Sequence, residues 1–259
     1  MPSPTPKRQP AATRVFVFLP IAVAALSAVL AAQMMGRDPR FALPLLGLPL
    51  LLFLPALIGR WRMRRLLMSG DVERVLGTWE GSLERVAHRE TMAPLLKATA
   101  YASYGWSEAA RRALGRAVKG PAWDEAIEQR LFVETLLDTF EGDRSAAIRK
   151  AEVLQALPMP SAGPLVSRRI ALLRRGLAAL ARAFAHASRE GDARLLDKAA
   201  SASPLVHWAM RYAAAVVAVD GGRASEVPAL LSGAPAWPAE SAFHTYHEEL
   251  LARAAPQVA

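Results

Sequence analysis

The chain has 259 residues, of which 53% are hydrophobic and 21% charged, so it is long enough for a membrane segment followed by one domain. It contains no cysteine, which excludes disulfides, thiolate metal sites and cysteine nucleophiles. The net charge is +9, but residues 1–65 hold nine Lys and Arg with one acid, whereas residues 66–259 hold 23 basic and 22 acidic residues. This distribution argues against a generally basic nucleic-acid-binding domain.

The N-terminal part of the sequence predicts a tail followed by two membrane spans. Residues 1–13 contain four prolines and no apolar periodicity, which predicts a disordered tail. Residues 15–35 carry no charge, and as a helix they would be about 31 Å long, which matches the hydrocarbon core of a bilayer. Residues 41–59 are also uncharged, although three prolines are expected to kink this second span. Because the connector at 37–40 is short, residues 14–59 are predicted to form a transmembrane hairpin.

The basic residues that flank the hairpin predict its orientation. Seven Lys or Arg precede the first span or follow the second, and two lie in the connector, so the positive-inside rule places both termini in the cytoplasm. A basic juxtamembrane segment, residues 60–69, follows the second span. Its predicted interface anchors, which would contact anionic lipid headgroups, are Arg60, Trp61, Arg62, Arg64 and Arg65. The alternative for the first span is a cleavable signal peptide, because residues 29–33 offer small side chains.

Residues 70–259 are predicted to form a cytoplasmic domain of the all-α class. β-Branched residues are sparse there, alternation is absent, and Ala, Leu, Arg and Glu dominate. Amphipathic periodicity on both sides of Gly142 predicts antiparallel helix pairs. Five glycines are predicted to close helices in the left-handed conformation, and three of them precede an Asp that can cap the next helix. These glycines are Gly70, Gly105, Gly142, Gly191 and Gly221.

One stretch, residues 91–121, follows a known helical repeat. The small, aromatic, turn-glycine, alanine and proline positions of that repeat are matched, at or within one residue, by Ala98, Tyr101, Gly105, Ala110, Ala117 and Pro121. On these residues the chain resembles tetratricopeptide repeats. The resemblance implies an α-solenoid that binds proteins or peptides on a concave face, and it says nothing about catalysis. The 49-residue interval between Gly142 and Gly191 departs from the repeat length, so an irregular helical domain without a groove is the alternative.

Two groups of side chains are candidate sites. The proposed partner-binding residues, which recur every seven positions and would form one stripe on a helix, are Arg168, Arg175, Arg182 and Arg189. Such a stripe could hold an acidic partner or lipid headgroups, unless it pairs with the acidic residues at 124–141. His244 and His247, with Glu248, could form a partial metal site, but a third ligand is missing. No metal and no other cofactor is therefore predicted.

No phosphate loop, nucleophile elbow, zincin helix or EF-hand loop is present in the sequence, so no enzymatic activity is predicted. The Ala- and Arg-rich, Lys-poor composition indicates a GC-rich bacterial genome. We expect an inner-membrane adaptor or scaffold whose helical array binds protein partners at the cytoplasmic surface. The alternative is an accessory structural subunit of a larger membrane complex. In that case the hairpin is the main assembly surface, because alanines at 22, 25, 28 and 32 allow close helix approach.

Overall fold

The computed structural model describes residues 54, 55 and 57–255. The helices are α1 Val72–Leu83, α2 Arg89–Ser103, α3 Ser107–Gly115, α4 Pro121–Glu125, α5 Ile127–Glu141, α6 Arg144–Ala156, α7 Pro164–Phe184, α8 Asp192–Ala202, α9 His207–Asp220, α10 Val227–Leu230 and α11 Ala242–Ala254. Short 3-10 helices lie at Pro204–Val206 and Ala224–Glu226. The described residues contain no strand, which confirms the prediction of the all-α class.

The chain divides into two units, Met1–Arg64 and Arg65–Ala259. In the first unit, residues 57–64 are helical and the Trp61 side chain is 60% exposed. The predicted tail, the whole of the first span and most of the second lie outside the described residues. Within the described residues, no helix is both long enough and apolar enough to cross a bilayer.

Glycines in the left-handed conformation separate helices of the second unit, largely as predicted. The backbone angle φ is positive at four of the predicted positions: Gly70, Gly105, Gly142 and Gly191. The fifth prediction is wrong by one residue. Helix α9 extends to Asp220, and the Gly221 amide still donates to the Val217 carbonyl in the helical pattern. Gly222, with φ of +72°, makes the turn instead. Asp71 and Asp143 cap the next helix as predicted, each accepting a backbone N–H three residues ahead.

Four helices form the inner layer of the second unit. α2 packs against α5, α5 against α7, and α7 against α9, while α3, α6 and α8 each pack against the helix that precedes them. The buried faces agree with the predicted periodicity around Gly142, since Leu136, Leu137 and Leu154 are fully buried. Alanine supplies much of the remaining core, and this small side chain lets neighbouring helix backbones approach closely.

The C-terminal segment returns to the first helix pair and closes the unit. The Ser241 hydroxyl donates to the Tyr104 carbonyl at 2.7 Å, and the Ala242 amide donates to the Gly105 carbonyl at 2.9 Å. The Trp208 indole N–H donates to the Met68 carbonyl, 140 positions earlier. In an open solenoid each repeat contacts only its neighbours, so these long-range contacts distinguish this unit from a simple array.

Candidate functional site

A groove lies between α2 and α3 on a face that the other described helices leave open. The α2 wall carries Arg89, Ala93, Lys97 and Tyr101, which are spaced four residues apart and therefore share one side of the helix. The α3 wall carries a second set at helical spacing, followed by a residue beyond the helix end: Ala109, Arg112, Ala113 and Arg116. The volume of this open groove is about 800 Å³.

The groove exists because small side chains lie between long ones. Ala93, Ala109 and Ala113 leave space where leucines would fill it, and the long side chains of the arginines and of Lys97 form its rims. One end of the groove is fixed by backbone contacts. The Val118 amide donates to the Glu90 carbonyl at 3.2 Å, and the Val118 carbonyl accepts from the Thr91 hydroxyl at 2.8 Å. These bonds join the segment after α3 to the start of α2 and hold the two walls together.

The charge of this groove is strongly positive. Of the described residues that line it, four are cations and one, Glu90, is an acid. Arg89 lies 3.7 Å from Glu84, and Arg112 lies 3.6 Å from Glu108, with all four side chains mostly exposed. Exposed pairs at such distances contribute little free energy, so both arginines remain available to another anion. The side chains of Lys97 and Arg116 form no ion pair or hydrogen bond with another described residue.

Tyr101 connects the groove to α1. Its hydroxyl donates to the Glu73 carboxylate at 3.1 Å. Burial raises the pKa of the Tyr101 phenol, and the hydrogen bond and charge of Glu73 raise it further, whereas Arg112 and Arg116 lower it. The phenol therefore stays protonated at neutral pH. Four cations against one carboxylate among the described lining residues therefore suit the binding of anions by charge.

The predicted arginine stripe is divided by the end of α7. Arg168 and Arg175 are exposed on α7, but this helix ends at Phe184, so Arg189 lies in the turn that follows. The expectation of one continuous helical stripe is wrong at that residue. Arg182 is half-buried and donates to both carboxylate oxygens of Asp192, at 2.6 and 3.0 Å. Only part of the stripe is therefore open to a partner.

The Asp192 carboxylate stabilises the turn between α7 and α8. It was expected to cap α8 after Gly191, but it accepts instead from the Arg182 guanidinium and from the Arg189 amide. Burial raises the pKa of Asp192, but these donors and the charges of both arginines outweigh burial and hold it below its usual value. This cluster joins the end of α7 to the start of α8, so its role is structural.

The acidic residues at 124–141 pair with other cations than the stripe. Glu128 accepts from Arg174 at 3.0 Å, Lys150 lies 2.7 Å from Asp138, and the Arg111 Nε donates to Glu141 at 3.0 Å. Arg174 is the most buried of these cations, and it also donates to the Leu157 and Pro158 carbonyls. The alternative pairing of this acidic segment with Arg168, Arg175, Arg182 and Arg189 does not occur.

The two C-terminal histidines contact different groups. His244 Nδ1 lies 3.1 Å from the Trp237 carbonyl, whereas His247 Nδ1 lies 2.9 Å from the Tyr212 hydroxyl. The described residues contain no group of three or more His, Asp or Glu that could hold a metal ion.

A second cavity of about 320 Å³ lies among α2, α5, α6 and α7. Its lining is largely apolar and includes Phe132, Leu154 and Leu173. Exposed apolar side chains also occur around the α6–α7 connection, and Leu165, the second residue of α7, is 79% exposed. This apolar corner, made of the cavity and the exposed side chains beside the α6–α7 connection, would suit apolar contacts, whereas the α2–α3 groove suits ionic ones.

The α2–α3 groove was not predicted as a site from the sequence, although its four-residue spacing was visible in residues 89–101. The face of α2 that stays uncovered depends on how α1, α4 and α5 pack around it, and the sequence does not show this packing. Comparison with protein-family models, curated proteins and solved structures found no significant match to this chain.

Proposed function

We propose that the protein is a membrane-anchored helical adaptor that binds protein partners at the cytoplasmic membrane surface through the α2–α3 groove. The observation that carries this proposal is the groove itself, which is open, about 800 Å³ in volume and bordered by four cations. Its walls are two helices whose inner faces are buried, including Ala98 and Ala110 at 0% exposure. A preformed site of this kind loses little conformational entropy when a partner binds.

The proposal includes the transmembrane hairpin and the repeat-like array. The uncharged runs at 15–35 and 41–59 support the hairpin, and the exposed basic residues at 60–65 suit contact with anionic headgroups. Successive pairs α2–α3, α5–α6 and α7–α8 support the resemblance to tetratricopeptide repeats. Anchoring confines the groove to the membrane surface, which raises the effective concentration of a partner held there and offsets weak intrinsic affinity.

A second candidate function is supported by the apolar corner at the α6–α7 connection. Val153, Met159, Leu165 and Val166 are all exposed there. Neighbouring exposed apolar side chains are typical of surfaces that become covered in an assembly. This observation favours an accessory subunit of a larger membrane complex, which would contact its neighbours through this corner and through the hairpin.

Site-specific photo-crosslinking in living cells separates these functions. A photoreactive residue replaces Ala109 in the groove, Leu165 in the apolar corner, or exposed Ala229 on α10 as the control. We expect a discrete protein adduct from position 109 alone, in the membrane fraction. An adduct from position 165 alone would favour the accessory subunit, and the same adducts from all three positions would overturn the proposal.

Reporter fusions test the anchoring part of the proposal. Reporters placed after Arg65 and after Ala259 should both show cytoplasmic activity, because the positive-inside rule places both termini there. Periplasmic activity of both fusions would overturn the cytoplasmic orientation and would place the groove among envelope proteins.

A further inference from the structure

The length of the α2–α3 groove, its charges and the alanines between its rims indicate which kind of ligand fits it. We propose that the ligand is an extended segment of a partner protein in which acidic side chains alternate with small apolar ones, and that Lys97 and Arg116 select it. This inference rests on the proposed function.

The length of the groove sets the length of the segment. On α2, the lining residues run from Arg89 to Tyr101, which at 1.5 Å per residue is about 18 Å along the helix. An extended chain advances about 3.3 Å per residue, so five or six residues fill this distance. A short linear segment therefore fits the groove, whereas a folded domain would rest only on its rims.

The cations are distributed along the groove. The Val118 amide donates to the Glu90 carbonyl and the Trp106 amide to the Tyr101 carbonyl, so the two walls run in opposite directions. Arg89 and Arg116 therefore lie toward one end of the groove. Lys97 and Arg112 lie nearer the turn at Gly105. The two pairs of cations lie at different points along the groove. An extended chain in the groove would therefore meet them with carboxylates that are a few residues apart.

The alanines and the acidic residues of the groove favour a segment with alternating acidic and apolar side chains over a continuous polyanion. Ala93, Ala109 and Ala113 offer small apolar contacts between the cations. In an extended chain, successive side chains point to opposite sides, so a strictly alternating sequence places its acidic side chains on one side and its small apolar side chains on the other. Glu90 in the lining, with Glu84 and Glu108 beside the arginines, disfavours a ligand with negative charge along its whole length, such as a phosphodiester backbone or an anionic bilayer. A segment whose carboxylates are spaced apart can meet the cations and avoid these acids.

The binding experiment uses the full chain in nanodiscs of neutral phosphatidylcholine. The probe is a fluorescein-labelled peptide of about eight residues with alternating Glu and Ala, long enough to span the groove. Matched peptides carry Gln or Lys in place of Glu. Fluorescence anisotropy is measured with the wild type, with the double variant Lys97→Glu/Arg116→Glu and with the double variant Arg194→Glu/Lys198→Glu.

The second double variant is a matched control, because it replaces one Arg and one Lys, both exposed on α8, and so changes the net charge equally. We expect the wild type to bind the Glu peptide and neither matched peptide. The groove variant should weaken binding by at least about tenfold, whereas the α8 variant should change it by less than about twofold. Raising NaCl from about 50 mM to about 300 mM should weaken wild-type binding, because the pairing is exposed to solvent.

Three results would overturn the inference. The first is that the wild type does not bind the Glu peptide, and the second is that both double variants weaken binding equally, which would indicate nonspecific attraction. The third is that the groove variant loses binding to phosphatidylglycerol vesicles while its binding of the peptide is unchanged. Circular dichroism of both variants shows whether each remains folded, and Lys97→Gln/Arg116→Gln provides a milder change if the first does not.

The crosslinking experiment separates failure of this inference from failure of the proposed function. An adduct from position 109 together with no binding of the Glu peptide would leave the adaptor function in place and overturn the acidic segment. Specific peptide binding without any adduct in cells would support the acidic segment and count against the adaptor function.

Discussion

Gly176 of α7 lies directly against Ala199 of α8. A Cβ atom added at position 176 would be 2.5 Å from the Ala199 Cβ, a distance that side-chain carbons do not adopt. Alanine normally stabilises a helix relative to glycine by about 0.5–1 kcal/mol. Here the overlap outweighs that gain, since overpacking a core costs about 1–3 kcal/mol. Gly176→Ala should therefore lower the free energy of unfolding, as measured by urea denaturation.

Gly77, in the middle of α1, is the control for this prediction. A Cβ at that position would meet no atom within 4 Å. Gly77→Ala should raise the free energy of unfolding by about 0.5–1 kcal/mol. Stabilisation of similar size at both glycines would contradict the close approach of α7 and α8.

Arg174 is predicted to hold the α6–α7 connection in place. It is buried, and its guanidinium donates to Glu128, to the Leu157 carbonyl and to the Pro158 carbonyl. Arg174→Met leaves these carbonyls without their donor, which should cost about 2–3 kcal/mol and should speed proteolysis at residues 157–163. The measurement is chemical denaturation together with limited proteolysis.

Arg175, one position further along and exposed, is the matched control. Arg175→Met should change the free energy of unfolding by less than about 0.5 kcal/mol. Equal destabilisation by the two substitutions would show that the buried guanidinium has no special role.

The Arg182–Asp192 pair should make stability depend on pH in the acid range. The pKa of Asp192 is held below its usual value in the folded protein, so its ionised form stabilises the fold. This contribution is complete above the unfolded pKa, near 3.9, and is lost as the pH falls through the folded pKa. Asp192→Asn should cost about 1–3 kcal/mol at pH 7, and this cost should decrease as the pH falls below about 3.9. Urea denaturation across this range measures the difference, and a pH-independent difference would contradict the prediction.

Ser241 joins the C-terminal segment to the first helix pair. Its buried hydroxyl donates to the Tyr104 carbonyl and accepts from the Phe243 amide. Ser241→Ala should cost about 1–2 kcal/mol and should speed hydrogen exchange at the Ala242 amide, which donates to Gly105. Exposed Ser225, in the second 3-10 helix, is the control, since Ser225→Ala should leave that exchange rate unchanged. Unchanged exchange in Ser241→Ala would show that the contact does not hold the segment.

Local features of the fold were predictable from the sequence. The helix class, four of the five glycine turns and the caps at Asp71 and Asp143 depend on residues a few positions apart, and these predictions are confirmed. Asp192 was misassigned because a guanidinium ten positions earlier competes for its carboxylate. The α2–α3 groove and the return of α11 depend on contacts that no local pattern encodes.

Closure by the C-terminal segment fixes the number of helices in the second unit. An open solenoid can gain or lose a repeat during evolution, because each repeat depends only on its neighbours. Here an added helix pair would separate Ser241 from Tyr104 and Trp208 from Met68, so that both ends of the core would be exposed at once. The same contacts couple the first helices to the last, so we expect residues 65–255 to unfold in a single transition and not repeat by repeat.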